Sequence, residues 1–521
     1  MLLGKEPAAH ERNAHRLLLI KARIEDPEGE ASAPAVGVMQ LGATARAWSG
    51  WQVRAVDLWL ERDEESAIRE ALRQYPAEVI GLSGLTAESD SLYRAARYAR
   101  EGAPGAVVIA GGPHATSYTR ETIARPGIDG VVIGEGERTL REILDRIAAG
   151  ASWEDVAGTA VKNRAGDCRF NPGRPYIENL DELPLPAWDL TDIDAFGRRR
   201  GMALVGRRRY LPISLSRGCP YRCTYCHQMH GKEFRAHSAE YALRLVDQAA
   251  EQCRIHDFDI IDDIFNLDAG RMQAICEGFI ARGDIRYTLP NGIRSDRLDA
   301  GQIHLLSRAG LEYVAIAVET ASPRLQKMIR KNLQLDKVRG VIEEFARQRV
   351  MSSGFFMVGF PTETEAEMQL TIDFALKSSL HNALFFVVSP FEGTELHEQV
   401  RRQAAEPRFD VKRVYLRQKV NLSEIPDQRF AWLRSRGYLR FFGNPRRLWR
   451  IFRDHPRKRA LISASWVVIL RDILHLPASV IDPIPFMKRT LARRFTAVAS
   501  RQSPVDTPEA GIERRAETRQ F

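Results

Sequence analysis

Cysteine is scarce in this sequence, six residues in 521, which argues against the disulfide framework that small secreted domains use. Long apolar runs are missing too. The best candidate, LISASWVVIL at 461–470, is closed by Arg471 and Asp472, short of the roughly 20 residues a spanning helix needs. The opening MLLGKEPAAHERNAHRLLLIKA has no basic start followed by an apolar core and a small-residue cleavage site, so export is not expected. These shortages predict a protein of a reducing compartment, the cytoplasm. No internal repeat of fixed period stands out.

What is present is ordinary globular composition, 44% hydrophobic and 27% charged, in a chain long enough for two or three domains. The net charge of +9 is unevenly placed. Residues 401–521 hold 27 Lys and Arg against 11 Asp and Glu, which leaves the first 400 residues at −7. Basicity therefore belongs to the carboxyl-terminal region, and nucleic acid is not expected as the partner of the main body.

Short apolar strands alternate with helical patterns in the first 150 residues: RLLLIKA (16–22), WQVRAVDLWL (51–60), AEVIGLSGL (77–85), AVVIAGG (106–112) and GIDGVVIGEG (127–136). The alternation predicts a Rossmann-like, doubly wound parallel sheet. Such sheets bind ligands beyond the carboxyl ends of their strands. Residues 151–211 read as a linker, with a hairpin GTAVKNRAGDCRF and a Pro-rich connector DELPLPAWDL. From 212 to 400 six more strands are each followed by a helix, which predicts a partial (β/α)6 barrel with its chemistry at the loops after the strands. Residues 401–500 read as a basic helical region and 501–521 as a disordered tail.

The stretch SLSRGCPYRCTYCHQMHGKEFR follows the first barrel strand and places Cys219, Cys223 and Cys226 in a C-x-x-x-C-x-x-C spacing. A zinc site with His227 or His230 as fourth ligand is one reading, although zinc sites usually draw ligand pairs from separated segments. A redox dithiol leaves Cys219 idle, and an ordinary ferredoxin-like cluster needs a fourth thiolate. The favoured reading is a 4Fe-4S cluster held by three thiolates. One iron then stays open to bind a substrate or cofactor.

This motif, with aromatic Tyr225 before its last cysteine and a six-unit βα barrel behind it, resembles the radical S-adenosylmethionine enzymes. The resemblance implies that the open iron binds the amino and carboxylate groups of S-adenosylmethionine, and that the reduced cluster splits the sulfonium to a 5′-deoxyadenosyl radical. It places Asp262 and Asp263 of DIIDDIFNLD near the cofactor's polar groups, with a helix-capping pair as the plainer alternative. Arg294 of LPNGIRSD would meet the methionyl carboxylate, and Glu319 of VAIAVETAS would orient it or a ribose hydroxyl. Gly359 and Pro361 of FFMVGFPTETEAE would shape a late-barrel turn.

The first domain carries Ser83 and Leu85 in SGL, then Gly111 and Gly112 in GGPHAT. These resemble the Ser-x-Leu and Gly-Gly elements of cobalamin-binding domains, where small residues admit the corrinoid's nucleotide tail, and GEGE at 134–137 fits the same neighbourhood. The family's Asp-x-His-x-x-Gly is absent after the first strand, so a bound cobalamin is expected to lack a protein histidine as lower ligand. Domain order resembles the cobalamin-binding branch of the superfamily, which includes methylases of unactivated carbon and the bacteriochlorophyll ring cyclase. Implied partners are a small-molecule or lipid-like substrate and an electron donor such as a flavodoxin or ferredoxin. Cyclisation, oxidation or carbon–carbon bond formation without methyl transfer, and a zinc-stabilised nucleic-acid-binding protein, are the alternatives. The stretches RFFGNPRRLWRIFR and SWVVILRDILHLP suit either peripheral membrane contact or, preferably, a helical cap packed on the barrel.

Overall fold

The computed structural model describes residues 2–4, 14–25, 31–162, 167–227, 229–403 and 421–458. The expectations for 461–477 and for the tail at 501–521 lie outside these residues.

Two sheets organise the chain. The first has the order β2-β1-β3-β4-β5-β6-β7, with β1 Arg16–Lys21, β2 Gln52–Asp57, β3 Val79–Ser83, β4 Val107–Gly111, β5 Gly130–Val132, β6 Thr159–Lys162 and β7 Cys168–Phe170. The first five strands pair in parallel. Leu17, Leu18, Leu19 and Ile20 of β1 are all buried, the continuous apolar run of a strand covered on both faces. The hairpin at 158–170 is more than a connector. It adds β6 and β7 antiparallel to the edge of this sheet.

The second sheet is the predicted partial barrel. Its six strands, β8 Leu211–Ile213, β11 Asp257–Ile260, β12 Arg286–Ile293, β13 Leu311–Glu319, β14 Met351–Val358 and β15 Asn382–Val387, pair in parallel in chain order. A separate two-residue ladder joins β9 Ser216–Arg217 to β10 Arg235–Ala236. Local chemistry starts the intervening helices. Ser238 caps Ala239–Cys253 and Asp268 caps Ala269–Arg282, while Asp299 with Gln302, and Thr364 with Glu367, form reciprocal capping boxes, each satisfying amide protons that a first helical turn leaves unpaired.

The edge strand β15 would present unpaired backbone groups. Helix Asp427–Phe442 covers it, and the Phe385 amide donates to the Tyr438 hydroxyl at 2.8 Å. Helix Pro445–Asp454 follows, and its Arg447 is buried. That guanidinium donates to the carbonyls of Leu380 and Leu376 at 2.6 and 2.9 Å and lies over the Phe441 ring, so a buried cation caps carbonyls at the end of helix Glu365–Lys377. Farther on, Arg457 pairs with Asp257 and Glu312, at the amino ends of β11 and β13. Residues 421–458 thus pack along the barrel's edge, from Gly359 at the carboxyl end of β14, where the Phe430 ring lies, to the amino ends of β11 and β13.

Candidate active site

The three cysteines lie on a loop, 218–234, rooted at the carboxyl end of β8 and pinched shut by the β9–β10 ladder. Gly218 sits at its entry with φ +82°, and a Cβ there would lie 2.1 Å from the Glu233 carbonyl oxygen, so this entry admits only glycine. The turn is held by the Cys226 amide donating to the Cys223 carbonyl at 3.3 Å, and the loop is docked on the barrel through Thr224, whose amide donates to Ile329 and whose carbonyl accepts from Leu396.

The thiols are electrostatically unsettled. Burial, then Asp263 and Cys223, raises Cys219. Cys226 keeps solvent access, but protein crowding its sulfur, then the Cys223 thiol beside it, pushes it up to about 12. Neutral thiols are poor ligands until a cation draws off their protons. Among the described residues no three His, Cys, Asp or Glu side chains converge to cage a single metal ion. Three cysteines within one loop fit a cluster in which each thiolate takes a different iron.

Around this loop the structure distributes the residues expected from sequence. Asp262 is buried and spent on the loop's root: it accepts from the Leu215 amide and the Ser216 hydroxyl, both at 2.6 Å. Burial raises its carboxyl although Arg271 opposes this. Asp263 is exposed and accepts from the Gly218 amide at 3.1 Å. The Tyr225 hydroxyl donates to Glu319 at 2.9 Å, and Lys331, which the sequence did not single out, reaches the same oxygen at 3.1 Å. Desolvation, then Glu319, pushes the Tyr225 hydroxyl well above its ordinary value. Glu319 ends β13 at φ +66° where the register slips, a conformation that costs an L-residue energy and recurs at functional sites. Arg294 lies over the Tyr221 ring at 4.0 Å and donates to Asp296 and to the Lys331 carbonyl. Glu319 and Arg294 are therefore brought to the cysteine loop through Tyr225 and Tyr221. Gly359 makes its turn at φ +88°, with Glu363 accepting from its amide.

In the first domain Ser83 and Gly111 end adjacent strands β3 and β4, and Gly112 has φ +83° with space for a Cβ closed by the Ser83 hydroxyl at 2.7 Å. Leu85 stands half exposed beyond them, its amide bonded to Glu88. Around Gly134 there is open space. Small residues at three neighbouring strand ends, in the crevice a doubly wound sheet offers, fit a corrinoid tail. His114, just after the glycines, is buried against Tyr93 and Tyr118.

The largest surprise is GEGE. The Glu135 carboxylate bonds Arg235 twice, at 2.8 and 3.1 Å, lies 3.2 Å from Arg217 and accepts from the Ile177 amide, while Glu137 takes the other arm of Arg217 at 2.6 Å. Burial works against the Glu135 anion, but His230, Arg235 and Arg217 hold its carboxyl well below the usual range. Ser117 also meets Met229 at 3.8 Å. The loops ending the first sheet thus clasp the cysteine loop. Local pattern gave no sign of this, because ion pairs between segments about 100 residues apart leave no spacing to read.

Two family profiles match the chain, that of the B12-binding domain over residues 29–144 and that of the radical SAM superfamily over 213–375. An uncharacterized methyltransferase of Pyrococcus horikoshii is 29% identical over 70% of this chain and 78% of its own. The cytidylyl-2-hydroxyethylphosphonate methyltransferase of Streptomyces wedmorensis is 26% identical over 68% and 72%, and the anaerobic magnesium-protoporphyrin IX monomethyl ester cyclase of Synechocystis 24% over 76% and 79%. In fold the chain is like the radical S-adenosylmethionine methyltransferase TsrM from Kitasatospora setae, solved with tryptophan and a SAM analogue, at a TM-score of 0.64 over 77% of this chain and 80% of that one with 17% identity. The chain is a radical S-adenosylmethionine enzyme built on a partial barrel. It belongs to the branch that carries a cobalamin-binding domain ahead of that barrel.

Proposed function

We propose that the protein is a cobalamin-dependent radical S-adenosylmethionine methyltransferase acting on an unactivated carbon of a small molecule. The observation that carries this reading is the clasp of Glu135 and Glu137 on the cysteine loop, which makes the corrinoid crevice and the cluster loop neighbours. A bound cluster with S-adenosylmethionine would supply hydrogen-atom abstraction, and a bound corrinoid the methyl group.

The chain's own residues do the holding. Cys219, Cys223 and Cys226 would bind three irons. Asp262 and Asp263 fix the root of their loop, so they position ligands instead of touching the cofactor. Glu319, charged beside Lys331 and Tyr225, is the acceptor suited to an ammonium or ribose hydroxyl, and Arg294 is suited to a carboxylate. Ser83, Leu85, Gly111 and Gly112 would line the corrinoid tail, with no protein histidine below the cobalt. No general base is assigned, since hydrogen-atom abstraction needs none. A flavodoxin or ferredoxin would supply electrons in the reducing cytoplasm. Likeness to the cyclase favours, as a second reading, ring formation without methyl transfer.

Incubating the reconstituted protein anaerobically with reductant, S-adenosylmethionine and candidate acceptors separates the two. Methyl transfer gives S-adenosylhomocysteine together with 5′-deoxyadenosine; the cyclase reading gives 5′-deoxyadenosine alone.

A further inference from the structure

Ten large apolar side chains are strongly exposed among the described residues, and five of them, Trp432, Leu439, Leu448, Trp449 and Phe452, fall within 21 residues of the carboxyl-terminal helical pair. Trp449 is 62% and Leu439 59% exposed. Burying such groups is what folding ordinarily achieves, so a concentration of them on one hairpin calls for a partner.

The helices are two-faced by spacing. In Asp427–Phe442 the buried stripe is Phe430, Leu433, Gly437, Tyr438 and Phe441; the outward stripe, 429, 432, 436, 439 and 440, alternates arginine with Trp432 and Leu439. In Pro445–Asp454 Arg447, Ile451 and Asp454 face inward, leaving Arg446, Leu448, Trp449, Phe452 and Arg453 outward. Residues 427–458 hold ten Lys and Arg against two acids, Asp427 and Asp454, and Asp454 is buried against His381. Glu365 and Asp373 of the neighbouring helix offset Arg429 and Arg440. Among the described residues no carboxylate pairs with Arg436, Arg446 or Lys458.

We infer that this outward face docks on an anionic lipid surface. Aliphatic and aromatic side chains interleaved with arginines, on helices too short and too charged to span, form the interfacial arrangement that inserts apolar groups at headgroup depth while cations meet lipid phosphates. No helix among the described residues is long and apolar enough to cross a membrane, so the contact is peripheral. RNA fits less well. Trp432 already has the guanidiniums of Arg429 and Arg436 over its ring at 4.4 and 5.0 Å, which occupies the surface a base would stack on, and Leu439 and Leu448 serve no purpose in nucleotide binding. The face lies along the barrel's edge, on helices that run from Gly359, against which Phe430 packs, toward the amino ends of β11 and β13. The inference is independent of the methyl-transfer reading.

The test is flotation of the full chain with phosphatidylcholine vesicles, with and without phosphatidylglycerol, at low and high salt. Wild type is expected to float only with phosphatidylglycerol and to be released by salt. Trp449→Ser/Phe452→Ser and, separately, Arg446→Glu/Lys458→Glu each lower partitioning at least about tenfold; all four side chains are exposed, so thermal melts of both variants should match wild type. No flotation at low salt overturns the proposal, as does flotation unchanged in both variants, which puts the contact elsewhere. Self-association lost in the Trp449→Ser/Phe452→Ser variant without vesicle binding would make the occupant a second copy, and retention of an RNA oligonucleotide but not vesicles would make it nucleic acid; either result overturns the lipid assignment.

Discussion

Arg217 and Arg235 are register partners in the two-residue ladder that closes the cysteine loop, so like charges face each other at its base. Opposed like charges destabilise a ladder. The Glu135 carboxylate reaches both guanidiniums, which means the loop's closure is completed by a residue of the first domain.

Glu135→Gln should therefore loosen the loop from a distance. The group is nearly buried, and removing one partner of such a network costs about 3 kcal/mol or more. Amide exchange within 218–234 should accelerate and iron loading fall, while the strands of both sheets keep their protection. Unchanged exchange in the loop would show that the clasp is dispensable.

Glu319→Gln should separate cluster from cofactor. No cysteine is altered, so iron content should match wild type, while S-adenosylmethionine binding weakens by about tenfold, the worth of one charge-assisted hydrogen bond. Calorimetric titration of the reconstituted protein checks this.

Glu363 gives a pH signature. Burial lifts its carboxyl to about 7 from the ordinary 4.5, although the Gly359 and Phe360 amides oppose the lift. A carboxyl raised in the folded state contributes stability that is complete below 4.5 and is lost as pH rises through about 7. Its contribution is up to about 3 kcal/mol across that window. The difference in melting temperature between wild type and Glu363→Gln should change over pH 4.5–7, with wild type gaining toward the acid side.

Asp454→Asn should unfasten the carboxyl-terminal cap. His381 is fully buried, its Nδ1 accepts from the Ser352 amide at 3.0 Å, and its Nε2 therefore carries the proton donated to Asp454 at 3.0 Å. Burial lowers the imidazole's proton affinity against the pull of Asp454, consistent with that neutral ring. The carboxamide weakens this bond, at a cost of about 1–3 kcal/mol, visible as a lower denaturant midpoint.

Elements with local periodicity were legible in the sequence. Each of the six barrel strands is a short segment rich in apolar residues and followed by a capped helix, and the cysteine spacing with Tyr225 is compact enough to read directly. Residues whose meaning lies in distant partners were not. Asp262 looks like a ligand or a helix cap, yet it braces Leu215 and Ser216 beyond the end of the neighbouring strand β8. Arg447 sits in a basic run that reads as solvated surface, yet its neighbours at 446 and 448 face outward while it enters the core to meet the Leu376 and Leu380 carbonyls. Lys331 follows a short helix with no pattern of its own, and only the approach of β13 to the cysteine loop shows what it serves.

A cluster and a corrinoid on one chain are tested by anaerobic reconstitution of the full chain with iron, sulfide and a cobalamin, followed by metal and corrinoid analysis, with a triple Cys219→Ala/Cys223→Ala/Cys226→Ala variant alongside. About four irons per chain are expected, lost in the variant, together with one equivalent of corrinoid retained by both proteins. Zinc in place of iron, or iron without corrinoid, would contradict that expectation.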